Sequence, residues 1–204
     1  MPSSLGTDAG ITALEASYRR LAPMLSPSRL SPRHKERLDD EAILHLTAME
    51  IWSRAKVVLL HATEENGVDM KRVAQKAFDA NKRVGLAVSG SDGLDFVEIY
   101  GADGFESATI PEANANAAEG DTTGFACDEL IESLCLVPGL VFDGEGRRIA
   151  SDASVWDRFL AFYPGNKVAL AHALQISNNP LPVEDGNVRM DFVVSDGCVW
   201  RCRR

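Results

Sequence analysis

The sequence lacks any long hydrophobic run, and this absence excludes a membrane-spanning helix. A span needs about 20 consecutive apolar residues, and polar or charged residues interrupt every apolar stretch well before that length. Residues 1–10 are polar and contain neither a positively charged region nor an apolar stretch. We therefore expect no signal peptide there, no membrane partner and a cytoplasmic location.

Positive charge is scarce and scattered. The chain has 21 Lys and Arg residues against 30 Asp and Glu residues, which gives a formal net charge of −9 at pH 7. An excess of negative charge repels the phosphates of nucleic acids and anionic membrane surfaces, so we expect no nucleic-acid partner. The one basic cluster, Arg201 with Arg203 and Arg204, is typical of a solvated terminus.

Cysteines are few and do not form the pattern of a metal site. Cys198 and Cys202 could supply two ligands, but a zinc site needs three or four, and no second pair lies nearby. We interpret Cys127, Cys135 and this pair as reduced thiols that pack like small apolar groups. A metal-stapled structural protein is the least favoured class.

The composition is that of one globular domain. With 45% hydrophobic and 25% charged residues, the chain is ordinary for a folded protein, and one of this length buries roughly 70% of its unfolded surface. Neither a linker-like stretch nor an internal repeat divides it. We expect a single domain over residues 1–204, as a monomer or a small homo-oligomer.

Hydrophobic spacing predicts alternating helices and strands. Helical periodicity covers residues 9–22, 33–54 (after Ser31-Pro32), 69–80 and 154–163. Apolar runs predict strands over 56–60, 84–88, 94–100, 130–137, 168–173 and 192–194. This order indicates an α/β fold with a mostly parallel sheet between helices. Ligands of such sheets bind at the carboxyl rim, and residues 101–124 form a long loop that is functional or mobile.

A resemblance to a known family becomes visible at Leu134, where the sequence reads LCLVPGLVFDGEGRRIASDASVWDRFL. This segment resembles the 5-formyltetrahydrofolate cyclo-ligase (methenyltetrahydrofolate synthetase) family. The family has a VPG-x-x-FD strand end, followed by an RLG-x-G-x-G-x-YD loop that opens a helix. Looser matches are residues 81–84, Ile110-Pro111-Glu112, Gln175, Pro182-Val183-Glu184 and Asp191.

The resemblance implies an ATP- and magnesium-dependent ligase of one-carbon metabolism with the NagB/RpiA/CoA transferase-like fold. Such enzymes phosphorylate the formyl oxygen of 5-formyltetrahydrofolate, a folate nitrogen closes the ring, and phosphate leaves as 5,10-methenyltetrahydrofolate forms. The implied cofactors are ATP and Mg²⁺, and the implied partners are small molecules, a reduced folate and a nucleotide.

Carried over position by position, the resemblance also implies site residues. Arg148 and Asp157 would be catalytic, and Asp152 or Asp157 would hold magnesium. The nucleotide would bind at Arg148, Ala150, Ser151, Asp152, Ala153 and Ser154. The substrate would contact His61, Glu65, Trp156 and Gln175.

The departures from the family pattern fall on the phosphate loop. Ala150, Asp152 and Ser154 stand where the family has glycines, which let backbone N–H groups approach phosphate. Two negative charges about 4 Å apart repel by roughly 4 kcal/mol at an effective dielectric of 20, unless a cation such as Mg²⁺ intervenes. Two functions stay open: a divergent cyclo-ligase, or a catalytically silent paralogue that binds a nucleotide or folate as a regulatory module.

Several of these residues also have structural interpretations. Ser154 and Asp157 match a helix capping box, and Trp156 with Phe159 has the spacing of core residues. Arg148 could form a surface ion pair with Asp143 or Glu145, and His61 could be a structural histidine at a strand end.

Overall fold

A computed structural model describes residues 31–64, 67–90, 93–101, 104–105, 125–150, 153–182 and 186–202. The helix predicted over residues 9–22 and most of the loop predicted over 101–124 lie outside these ranges. So do three predicted site residues, Glu65, Ser151 and Asp152.

Helices and strands alternate through the described chain. The first half contains α1 (Pro32–Thr47), α2 (Glu50–Arg54), β1 (Val57–Leu60), α3 (Met70–Asp79), β2 (Arg83–Gly90) and β3 (Gly93–Ile99). The second half contains β4 (Ser133–Leu136), β5 (Val141–Asp143), β6 (Arg148–Ile149), α4 (Ala153–Leu160), β7 (Asn166–Ala171), a 3₁₀ turn (Ala173–Gln175), β8 (Ile176–Ser177), β9 (Phe192–Ser195) and β10 (Val199–Arg201). Over the described ranges, no helix is both long and apolar enough to cross a membrane.

Seven of the described strands form one sheet in the order β10-β9-β7-β4-β1-β2-β3. The five from β9 to β2 are parallel, and the two edge strands are antiparallel to their neighbours. The predicted α/β fold with a mostly parallel sheet is therefore confirmed. The strand predicted over 130–137 lies at the centre as β4.

The sheet is covered on both faces, as the alternation of its strands requires. In β1, Val58 and Leu60 contribute to a core under α1, α2 and α3, while Val57 and Leu59 contribute to a second core under α4. Successive side chains of a strand point to opposite faces. This is why the continuous apolar run at 57–60 predicts a strand buried on both sides.

The first described helix is shorter than predicted. One helix was expected over residues 33–54, but the chain breaks at Ala48 and Met49, where Met49 is extended (φ −76°, ψ 146°). The Thr47 hydroxyl donates to the carbonyl of Leu44 at 3.1 Å, and such a local bond competes with continuation of the helix. The predicted start is correct, because Ser31 is the N-cap residue and Pro32 begins the helix.

A three-stranded sheet in the order β6-β5-β8 was not predicted. Its strands have two or three residues each, too few to show a two-residue period. Its turn depends on Gly146, which has φ 81° and whose carbonyl accepts a hydrogen bond from Met190 N at 2.8 Å.

Gly146→Ala is expected to lower the free energy of unfolding by about 1–3 kcal/mol, because alanine is strained at this φ. The new Cβ would also lie 3.1 Å from the Cys202 sulfur and against the Met190 carbonyl. Urea unfolding measures the change. Gly197→Ala is the control, since its nearest neighbour is an ordinary 3.6 Å away. Equal stability of the two variants would contradict the expectation.

Candidate ligand site at the carboxyl edge of the sheet

The sheet reverses its strand order beside β1. The chain passes from β1 to β2 on one side and then returns to β4 on the other. Ligands of open α/β sheets bind at the carboxyl ends of the strands at such a point. His61 follows β1 there, and the turn over 138–140 follows β4, so the structure places these predicted features at one edge.

The turn over 138–140 is held by two side chains that donate hydrogen bonds to its carbonyls. Arg148 Nη1 donates to the Pro138 carbonyl at 3.2 Å. Gln175 Nε2 donates to the carbonyls of Gly139 and Leu140 at 3.3 and 3.4 Å, and Gln175 Oε1 accepts from His172 N at 3.0 Å. Gln175, predicted to contact substrate, is therefore engaged within the protein.

The glycine of this turn explains part of the family pattern in physical terms. A Cβ on Gly139 would lie 2.6 Å from the Phe142 ring. Only glycine therefore allows the backbone of the turn after β4 to pack directly on that side chain. The spacing from Gly139 to Phe142 is thus a packing requirement of the turn.

Arg148 and Asp157 form a buried ion pair. Arg148 Nη2 lies 3.0 Å from Asp157 Oδ1, and the two side chains are only 3% and 9% exposed. Asp157 Oδ1 also accepts from Val188 N at 3.2 Å, and Oδ2 accepts from the Asn187 amide at 3.2 Å. The pair therefore ties β6 to α4 and to the segment before β9.

The structural alternatives for these two residues need correction. The partners predicted for Arg148 belong to its neighbour: Arg147 lies 2.6 Å from Glu145 and 3.5 Å from Asp143. The capping box is also wrong, because α4 begins at Ala153, so Ser154 lies inside the helix. Asp157 binds Arg148 instead of capping that helix.

The resemblance predicts a phosphate loop at Arg148 and residues 150–154, followed by Asp157. The residues that the structure describes there do not fit a magnesium–nucleotide group. Arg148 Nη1 and Nη2 donate to protein oxygens, and both oxygens of Asp157 accept from protein donors. Ala150, at a predicted phosphate position, is buried. In the part of the chain that the structure describes, no cluster of three or more His, Cys, Asp or Glu side chains could hold a metal ion.

Trp156 lies in the core under α4, as its structural interpretation predicts. It is 3% exposed and makes edge contacts with His61 and Phe96, at centroid distances of 6.3 and 6.1 Å. His61 is also buried, and its Nδ1 donates to the Ala62 carbonyl at 2.7 Å. Their roles as substrate contacts stay predictions.

An apolar cavity of about 180 Å³ lies next to Trp156 on the same face of the sheet. We call it the phenylalanine cavity, and it is lined by Leu59, Leu94, Asp95, Phe96, Phe125, Leu130 and Phe159. Phe96 joins it to Trp156, and the Phe96 and Phe159 rings lie 5.0 Å apart. A cavity of about 150 Å³ can hold benzene, so this one can accept an aromatic ring.

The sequence reasoning missed this cavity. The one available signal was the alternation of Leu94 and Phe96 on β3, which predicts a shared face. A larger cavity of about 980 Å³ lies between α2 and the starts of β7 and β9, lined in part by Glu50, Asn166 and Asp191. It is at the amino ends of the strands, away from the edge where such sheets bind ligands.

The fold and site define an α/β protein whose strand order reverses beside β1 and which has an aromatic cavity on the face of the sheet that α4 covers. The model of the 5-formyltetrahydrofolate cyclo-ligase family matches residues 20–196. The chain belongs to this family.

Two solved structures are similar over most of their length. One is the NMR structure of 5,10-methenyltetrahydrofolate synthetase from Aquifex aeolicus, with 22% identity, a TM-score of 0.72 and 94% of each chain covered. The other is a 5,10-methenyltetrahydrofolate synthetase from Mycoplasma pneumoniae, with 16% identity, a TM-score of 0.65, and 89% of this chain and 98% of that chain covered. At these identities the likeness shows the shared fold. A comparison with curated proteins found no match.

Proposed function

We propose that this chain binds a reduced folate of the 5-formyltetrahydrofolate type and does not carry out ATP-dependent ring closure on it. The observation that carries the binding is the phenylalanine cavity on the face of the sheet that α4 covers. Family membership supports a folate as the ligand. Each contact between a ligand ring and a protein ring contributes about 0.5–1.5 kcal/mol beyond the area it buries.

The contacts of Arg148 and Asp157 support the second half of the proposal. These are the residues that the resemblance assigns to phosphate and magnesium, yet each has the other as its partner at 3.0 Å. A guanidinium that already neutralises a carboxylate has little attraction left for phosphate. We therefore assign no catalytic step to either residue.

The second candidate is an active, divergent cyclo-ligase. The match of the family model over residues 20–196 favours it, because the order of the motifs is intact. In that case ATP and Mg²⁺ would be required, and residues other than Arg148 and Asp157 would have to hold them.

A fluorescence titration with 5-formyltetrahydrofolate tests the binding. We expect tryptophan quenching, because Trp156 packs against the cavity wall at Phe96. Phe159→Ala should raise the dissociation constant about tenfold, which corresponds to roughly 1.4 kcal/mol. Phe162→Ala is the matched control, since this side chain near the end of the same helix is 90% exposed and should not affect affinity.

The outcomes separate the candidates. If no binding is detected with the folate alone or with ATP and Mg²⁺ added, the proposal fails. Equal weakening by Phe159→Ala and Phe162→Ala would remove the cavity from the site. ATP-dependent growth of the near-ultraviolet absorbance of the methenyl product, beside an active control enzyme, would establish the cyclo-ligase instead.

A further inference from the structure

Phe125 lies directly on the sheet, at a place where the sequence leaves room for it. A Cβ on Gly85 of β2 would lie 2.6 Å from Phe125 Cε2 and 2.7 Å from Leu59 Cδ2. Glycine at position 85 thus allows the Phe125 ring to reach the backbone of β2. In this position the ring forms one wall of the phenylalanine cavity.

Arg83 lies over the same ring. The guanidinium carbon lies 4.7 Å from the centre of the Phe125 ring, within the range of a cation–π contact. Arg83 and Gly85 are two residues apart on β2, so they point to the same face of the sheet. The ring of Phe125 is therefore fixed by two positions of one strand.

Arg83 itself is held in place by two carboxylates. Its Nε and Nη2 donate to the two oxygens of Glu98 on β3, each at 2.7 Å, and Nη1 donates to Glu129. The hydrogen bonds from Arg83 hold the pKa of Glu98 below its ordinary value, against the opposing effect of burial. Glu129 in turn accepts from Ala126 N at 2.8 Å, next to Phe125.

This arrangement needs an arginine. A planar guanidinium can make two parallel hydrogen bonds to one carboxylate while it lies against an aromatic ring, whereas a lysine ammonium is a point charge without that plane. A surface ion pair alone would contribute about 0–1 kcal/mol. It would require neither the two parallel hydrogen bonds to one carboxylate nor the contact with the ring. The stacked, doubly bonded arrangement indicates a role in placing the ring.

We propose that Arg83 is a positioning residue for the phenylalanine cavity. Through Phe125 it fixes the position of one cavity wall and thereby the width available to a flat aromatic ring. The inference rests on the proposed function in that the ring belongs to a reduced folate. It assigns Arg83, Glu98 and Glu129 to one unit that acts on the ligand only through Phe125.

A double-mutant cycle on 5-formyltetrahydrofolate affinity tests the coupling. Arg83→Lys and Phe125→Leu should each weaken binding about 3- to 10-fold, as expected for loss of one partly desolvated cation–π contact. The double variant should bind no more weakly than Phe125→Leu alone, because Arg83 acts through that ring. Lys56→Met is the matched control: it breaks the pair of Lys56 with Glu132 at the same end of the sheet.

A second measurement does not need the ligand. In protein labelled with 4-fluorophenylalanine, the ¹⁹F resonance that disappears in Phe125→Leu belongs to Phe125. Arg83→Lys should shift or broaden that resonance, and Lys56→Met should leave it unchanged.

Two results overturn the inference: an unchanged Phe125 resonance in Arg83→Lys, or additive losses of affinity in the cycle. If the parent protein does not bind the folate, the proposed function fails by itself. The ¹⁹F measurement then still decides whether Arg83 holds Phe125.

Discussion

Replacing Asp157 with alanine is expected to lower the free energy of unfolding by about 3–5 kcal/mol. The Arg148 side chain is 3% exposed, so the variant leaves a buried cation without its counter-charge. It also leaves Asn187 and Val188 N without their acceptor. For a chain of this size the melting temperature should fall by about 10 °C. Thermal unfolding in magnesium-free buffer measures the loss.

Two further variants make this result specific. Glu145→Ala removes a carboxylate that is 51% exposed and pairs with Arg147, and it should cost at most about 1 kcal/mol. Arg148→Met combined with Asp157→Leu removes both buried charges and should be more stable than Asp157→Ala.

The opposite pattern would assign Asp157 a different role. If Asp157→Ala melts like the parent in magnesium-free buffer and only loses a stabilisation that Mg²⁺ with ATP gives the parent, Asp157 is a metal ligand.

Asp39→Asn is expected to destabilise the protein at neutral pH and to reduce the loss of stability that the parent shows as the pH falls. Asp39 on α1 is 3% exposed. Its Oδ1 accepts from His172 Nε2 at 2.7 Å, and its Oδ2 accepts from Lys35 Nζ at 2.8 Å. Loss of the charged acceptor should cost about 1.5–3 kcal/mol near pH 7.

The direction of the pH effect follows from the pKa of Asp39. Burial is the largest single effect and raises this pKa, but the hydrogen bonds from His172 and Lys35 and the attraction to their charges together hold it below its ordinary value. The ionised carboxylate therefore stabilises the folded state above the unfolded pKa of about 3.9, and this contribution is lost as the pH falls through the lower, folded pKa. Urea unfolding measures the free energy of unfolding from pH 7 down to about 3. This free energy should fall less with decreasing pH in Asp39→Asn than in the parent.

The neighbouring residue supplies the control. Asp40 also forms an ion pair, with Arg72, but its side chain is 63% exposed. Asp40→Asn should change stability by at most about 1 kcal/mol. If the free energy of unfolding falls equally with decreasing pH in the parent and in Asp39→Asn, this carboxylate does not contribute to acid sensitivity.

Those parts of the fold that depend on local patterns could be predicted from the sequence. The apolar runs at 57–60 and 133–136 indicate buried strands because both of their faces are covered. The helix over 70–79 is also predictable: Asp69 caps it by accepting from Lys71 N, and Asn81 follows its end at φ 54°. The break at Met49 and the three-stranded sheet could not be predicted, because single contacts and two-residue strands leave no periodic signal.

The candidate site was predictable by residue type but not by contact. Arg148 and Asp157 were identified, yet their pairing depends on how β6 meets α4. The choice between Arg147 and Arg148 as the buried arginine depends on the orientation of a two-residue strand. The phenylalanine cavity gathers rings from distant parts of the chain, Phe96, Phe125 and Phe159, and no local pattern links them.

The ion pair of Arg148 and Asp157 also changes how divergent members of this family should be compared. Arg148 holds the carbonyl of Pro138, and Asp157 holds the amide of Asn187, so the fold needs both side chains whether or not the protein turns over a substrate. The presence of this pair in a chain therefore indicates an intact scaffold. A better marker of lost or retained activity is a residue that contacts the ligand and does not hold these elements of the fold together.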